Sequence, residues 1–572
     1  MKRIFNIYRK LLTALAVLCF TSSCTDYLTI IPPDKITEEF YWQTKDDVNG
    51  ILAKAYLNLL STDAMQKAII WGELRSDNLN LSIQKNEADL EYIVEANLLE
   101  ENSYCSWAIY YEAIQTANLV IDRAPQVVDR DPDFTEGDLQ VVLGEMYALR
   151  ALAHFYLVRT FRDIPMATEL VADDNEMPEY SQVHPLEALN IIMADLEKAK
   201  DLVMKSGNFS SEVENLGRIT ENAVLAIKAD VNLWRAAFAQ YYEDDTKLVK
   251  AGDIQNYYDA CIEDCQTVID NMDLLFKESS EGEKNFGLYP YNLIQNEGDE
   301  KDKKAHLSTV YNAIFGNKNS RESILELQVE GDNVTNKSAL AVCYMYGAQE
   351  ENPKLVVPKN FYKKYESDDL RLYSFIDYDP NGSSSADVET RVTKYVAQGS
   401  PAYSSANMRK SQNDFGANWI VYRKTDVLLM MAEAMVLRPS NAKNDFQDAF
   451  NIVKAINVRS RVDTAKYKKP YEFKDYSTRE TLHELVLKER QLELCFEGKR
   501  WFDLVRKALR EKTTNNIKFV ADKLDSNSGV VKSKMSTIDG LFMPIHKDEL
   551  IYNKKLKQNP VYIKDDSSTE LN

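Results

Sequence analysis

A chain of 572 residues, 44% hydrophobic and 28% charged, carries enough apolar material for a large core and is too long for one small domain. Its formal net charge of −20 repels phosphate backbones and argues against a nucleic-acid partner. Only 19 glycines and 16 prolines interrupt it, and its alanine-, leucine- and glutamate-rich stretches favour helix over sheet.

At the start, Lys2, Arg3, Arg9 and Lys10 precede the apolar run LLTALAVLCF, which is too short to span a bilayer and has the length of a secretory signal. TSSC then places Cys24 directly after small residues. This resembles a bacterial lipoprotein processing box, with Thr21 where Leu is usual. Residues 1–23 are therefore expected to be a lipoprotein signal peptide, and Cys24 the acylated first residue of a protein held at the membrane by lipid. Their loss removes four positive charges and no acids, which moves the net charge from −20 to −24. Residues 24–43, with Pro32 and Pro33, form a lipid-proximal tether. No later segment reads as a membrane span.

Residues 44–572 are expected to be a single domain. Thr44, with Asp47 three residues on, predicts the N-cap of a helix over KDDVNGILAKAYLNLL. Amphipathic stretches then follow in pairs: 107–124 with 138–161, 185–204 with 220–242, and one beginning at 253–270. Stretches 423–437 and 444–462 continue the pattern. In 138–161 the expected apolar stripe is Val142, Met146, Leu149, Ala153 and Tyr156. LGEMYALRA within it resembles tetratricopeptide helices, in which small residues let one helix lie close to the next. The fold class is thus mainly α, a tetratricopeptide-like superhelix of about four helix pairs. The helical scaffold covers about 44–275 and 420–572, and a large irregular region with a few short strands, such as SILELQVE, covers about 276–419. Irregular insertions on a rigid scaffold are where binding surfaces usually lie.

Recognisable catalytic chemistry is missing. Cys105, Cys261, Cys265, Cys343 and Cys495 are too scattered for a disulfide framework, and the five histidines show no metal-ligand spacing. HExxH, CxxC, GxSxG and GxxxxGK[ST] do not occur, so no cofactor or metal is implied. KERQLELCFEGKRWFDLVR (488–506) places Glu489, Glu493 and Glu497 four apart. Read as one helix, it spaces these acids about 6 Å apart along one stripe. A glycosidase pair must instead face across the scissile bond, usually from different elements. The acids read as scaffold, pairing locally as Arg490 with Glu493.

Several segments, in order, resemble the SusD-like (RagB/SusD) family of glycan-binding outer-membrane lipoproteins. These are CTDYL, ALRALAHFYLVRTFRDIPM (148–166), RITENAVLAIKADVNLW (218–234), ESDDLRL (366–372), YRKTDVLLMMAEA (422–434), AINVRSR (455–461), the 488–506 stretch and LFMPIHKDELIYNKKLKQNPVY (541–562). Asp426 stands where Glu is common, and Leu370 where Pro often sits. The resemblance implies four tetratricopeptide-like units and an irregular face. It also implies a surface protein of a Gram-negative bacterium that captures an oligosaccharide and caps a SusC-type TonB-dependent transporter, without catalysis. The alternatives are the same lid role for peptides or another nutrient, and an exported hydrolase.

Glycan binding needs exposed aromatic rings beside amide and acid groups. The candidates are Asp77, Asn78 and Tyr92, then Tyr289 and Tyr291 in LYPYN, and Tyr344 and Tyr346 in CYMYG. Trp107, Trp234, Trp419 and Trp501 sit in amphipathic or family segments and are expected in the core.

Overall fold

Three threonines open helices in the same way. Thr44, Thr135 and Thr478 each accept a hydrogen bond from the backbone three residues on, whose side chain bonds back to the threonine backbone. Two orphan amides are satisfied at each start, which fixes where the helix begins. The computed structural model describes residues 41–82, 87–171, 179–278, 291–294, 309–329, 339–344, 353–377, 389–395, 417–461, 471–519 and 529–563.

The principal helices are α1 (Lys45–Leu60), α2 (Thr62–Ile69), α3 (Ala108–Arg123), α4 (Glu136–Phe161), α5 (Pro185–Leu202), α6 (Glu221–Tyr241), α7 (Asp253–Glu278), α8 (Lys424–Leu437), α9 (Asp445–Arg459), α10 (Arg479–Leu494) and α11 (Arg500–Glu511). The sequence-based ranges agree closely, except that α7 runs on to Glu278. The helices pack as the pairs α1/α3, α4/α5, α6/α7 and α8/α9, and each pair also packs on the next, so the expected pairings of 107–124 with 138–161 and of 185–204 with 220–242 are contacts between successive pairs. α10 closes on α8 and α9, and α11 lies against α6. This is the four-pair tetratricopeptide-like array.

Burial follows from that stacking. α4 has neighbours on both sides, so Ala148–Phe161 is buried all round except at Tyr156 rather than along one stripe. It is the one helix among the described residues long and apolar enough to cross a membrane, and most of that length is covered by its neighbours. A Cβ at Gly144 would lie 2.7 Å from Val203 N, so the close crossing of α4 and the end of α5 requires a residue without one. Each fully buried Leu, Ile or Val contributes about 1.5–3 kcal/mol. Trp107, Trp234, Trp419 and Trp501 are all core residues, and the five cysteines between 105 and 495 are buried free thiols.

The strands are short and antiparallel. β1 (Asn80–Leu81) pairs with β5 (Leu355–Val356), β2 (Ile164–Pro165) with β3 (Gln182–Val183), and β4 (Ser323–Leu327) with β6 (Trp419–Arg423). β4 and β6 are buried along their whole length, and β6 leads directly into α8. Every residue of β4 lies within the SILELQVE segment.

Candidate ligand-binding face

The irregular region meets the scaffold along the β1–β5 ladder. Lys354, just before β5, pairs with Glu87 at 3.0 Å, and the Ser82 hydroxyl donates to Glu389 at 2.7 Å. Val357 N donates to Thr390 O at 2.9 Å, which ties a third segment to the ladder. After Glu87, the short helix Ala88–Val94 carries Tyr92 half-exposed. A partly open tyrosine ring can stack on an apolar sugar face and offer its own hydroxyl to the sugar's hydroxyls. Glu87, Lys354 and Glu389 were not anticipated, because their proximity depends on pairing across more than 250 residues.

The other anticipated residues divide. Cys24, Tyr289 and Tyr346 lie outside the described residues. Tyr291 is half-buried against the core, and burial, with Asp448 adding, pushes its hydroxyl up to about 12. Asp77, Asn78 and Tyr344 are brought together with the scaffold rather than with solvent, which corrects their assignment as ligand contacts. Asn78 is 0% exposed, donates to Glu73 at 2.7 Å and accepts from Gln491 at 2.8 Å. The Asp77 carboxylate is taken by Lys364 at 2.8 Å, Arg500 at 3.0 Å and Gln491 at 2.7 Å. Burial opposes its charge, yet Arg500 and Lys364 hold it well below the usual carboxylate range. Tyr344 is 0% exposed, and its hydroxyl donates to Phe496 O at 3.2 Å. Polar and aromatic residues in a loop look exposed in sequence; here they satisfy buried groups of two helix ends.

Those helix ends belong to the 488–506 stretch, which is two helices rather than one. α10 stops at Leu494, and the chain reverses through Cys495–Lys499 with Phe496 at φ 68° and Gly498 at φ 69°. Gly72 packs directly on this turn, and a Cβ there would fall on the Gly498 carbonyl. The acids serve distant partners. Glu493 accepts from Arg423 at 3.0 Å, Arg459 at 2.8 Å, Arg371 at 3.2 Å and Tyr311 at 3.1 Å. Glu497 accepts from Lys394 at 2.6 Å and from two nitrogens of Arg423 at 3.0 and 2.8 Å. Burial disfavours both charges, but the surrounding cations hold both carboxyls low. Burial pushes Glu489 up instead, because it shares Arg371 with Asp369 and Glu493. Arg490 turns away from Glu493, to Asp426 at 3.0 Å and Asp503 at 2.9 Å, which corrects the local pairing expected from spacing.

Glu73 completes the junction from the π-helical turn Ile70–Leu74 that follows α2. Its carboxylate accepts from the amides of Phe496 at 2.7 Å, Lys499 at 3.1 Å and Arg500 at 3.4 Å, capping the start of α11. Burial raises it to about 7, against those hydrogen bonds.

Two family descriptions match this chain, one to each half. The SusD family matches residues 291–562, and "starch-binding associating with outer membrane" matches residues 26–233. The chain belongs to the SusD-like family. SusD-like protein P38 of Formosa agariphila is 26% identical over 561 residues, covering 95% of this chain and 96% of that protein. Among solved structures, NanU of B. fragilis aligns with a TM-score of 0.64 at 18% identity, covering 94% of this chain and 100% of that one. A laminarin-binding SusD-like protein aligns with a TM-score of 0.61 at 18% identity, covering 91% of this chain and 99% of that one. These two likenesses extend the SusD-like fold over nearly the whole chain.

Proposed function

We propose that this SusD-like protein captures oligosaccharides at the cell surface and delivers them to a SusC-type TonB-dependent outer-membrane transporter, held there by lipid on Cys24 and performing no catalysis itself. The observation that carries this reading is the match of both halves of the chain to SusD-type families, one described as starch-binding and associating with the outer membrane. The laminarin-binding description of one structural neighbour agrees with it. Tyr92 is a half-exposed ring that can stack, and Tyr289, Tyr291 and Tyr346 are the further candidates in the irregular region.

The test is a glycan array followed by calorimetry with purified protein. We expect saturable binding to a defined set of glycans, weakened about tenfold or more by Tyr92→Ala through loss of a stacking ring. Binding of peptides with silence on the array would overturn the glycan reading, and steady release of product from an oligosaccharide would overturn the non-catalytic one. Cys24→Ala should move the protein out of the membrane fraction; unchanged fractionation would overturn the lipid attachment.

A further inference from the structure

An α-helix leaves its last carbonyls without donors, and its C-terminal end carries negative partial charge. At the end of α10 and in the turn after it, carbonyls are met by side chains from three separate stretches of the irregular region and by one from the end of β6. The Tyr365 hydroxyl donates to Leu492 O at 3.0 Å. Lys394 Nζ donates to Glu493 O at 2.9 Å and to Cys495 O at 2.8 Å, besides its bond to Glu497. Arg423, at the end of β6, donates to Glu493 O at 3.0 Å. The Tyr344 and Tyr395 hydroxyls both donate to Phe496 O, at 3.2 and 3.0 Å, with their rings parallel and 6.1 Å apart.

The receiving turn is itself held on its other side. Glu73 takes the amides of Phe496, Lys499 and Arg500, and Gly72 lies on Gly498. Two elements of the helical scaffold, the end of α10 and the turn after α2, thus fix one stretch of backbone. Stretches 339–344, 353–377, 389–395 and 417–423 converge on that backbone from separate places in the sequence. Two of them carry the described edge of the ligand-binding face, with Lys354 in one and Glu389 in the other. Tyr344, Tyr365, Lys394 and Tyr395 are buried, so each acts through the backbone it holds.

We propose that the Cys495–Lys499 turn and the end of α10 form a socket that sets the position of the ligand-binding face, with Tyr344, Tyr365, Lys394 and Tyr395 as its positioning residues. Its consequence for binding rests on the glycan reading above; the mechanical coupling does not.

Hydrogen exchange read by mass spectrometry on the full mature chain tests the coupling without any ligand. Two variants weaken the socket: Lys394→Met, and the milder pair Tyr344→Phe with Tyr395→Phe, which keeps the stacked rings. Arg150→Met serves as the control, because it breaks a buried pair with Asp195 between α4 and α5, away from the socket. Both socket variants should speed exchange in 339–344 and 389–395 at least about tenfold while leaving α6 and α7 unchanged, as expected for loss of buried bonds in one cooperative unit. The control should speed exchange only around α4, α5 and its other partners, Asn118 and Thr168. Unchanged exchange at 339–344 and 389–395 in the tyrosine pair variant, or uniform acceleration along the chain in all three proteins, would overturn the socket. A wild-type protein silent on the glycan array would overturn the glycan reading and leave the exchange result standing.

Discussion

The α4/α5 pair buries Leu149, Ala153, Leu189, Ile192 and Leu196 together with one ion pair, Arg150–Asp195. The end of α10 instead gathers Arg371, Arg423, Arg459 and Lys394 around Glu489, Glu493 and Glu497, all essentially inaccessible to solvent. Apolar contact scales with buried area and has no direction, so a helix pair tolerates small shifts of one helix on the other. Buried charges are different. Each bears a desolvation cost that only a complete set of well-aimed partners offsets, so an arrangement short of one partner is strongly disfavoured. The array needs stacking, which area supplies; the irregular region needs one position, which directed bonds supply.

The difference predicts unequal responses to small changes. Glu493→Gln keeps the volume but leaves Arg371, Arg423 and Arg459 short of a buried anion, and should cost about 3–5 kcal/mol by denaturant unfolding. Ile227→Val, a loss of one methylene in the α6 core, should cost about 0.5–1.5 kcal/mol. If the two costs were equal, the division between the regions would fail.

The second way to sharpen the comparison is pH. Glu73, raised from 4.5 to about 7, contributes stability that is fully present below pH 4.5 and lost as pH rises through about 7. Glu493 and Glu497, depressed from 4.5, contribute stability that is present above pH 4.5 and lost as pH falls through their lower native values. In unfolding midpoints measured from pH 2 to 8, Glu73→Gln should therefore flatten the decline towards pH 7 while leaving the acid limb in place; an unchanged profile counts against a titrating Glu73. A small effect again belongs to the array. Thr135→Ala removes a capping box that opens α4 at the surface, and should cost about 1 kcal/mol by thermal melting.

The helices, though not their pairing, were legible because their information is local. Period, caps and the proline at 185 fix most ends of α1 and α3–α6 to within a residue or two, and the four tryptophans of the amphipathic segments fell in the core as read. The socket was not legible. Lys394 meets Glu497 across 103 residues, and Arg371 meets Glu489 across 118, so spacing along the chain carries no sign of either bond. Glu493 was instead matched with its helical neighbour Arg490, whose partners are Asp426 and Asp503. Asn78 and Tyr344 look exposed from sequence because amides and tyrosines in loops often are, whereas here each satisfies a buried group. The π-helical turn at Ile70–Leu74, which aims Glu73 at the start of α11, has no sequence signature of its own.

Gly72 and Gly498 stand far apart in the sequence and touch in the fold. Any side chain at position 72 would have to displace the carbonyl of 498, and the neighbouring Phe496 carbonyl on which Tyr344 and Tyr395 rest would move with it. A change just after α2 would thus be inherited by stretches that lie far along the chain from it. Divergence in what those stretches recognise can proceed freely only while this pair of glycines is left alone.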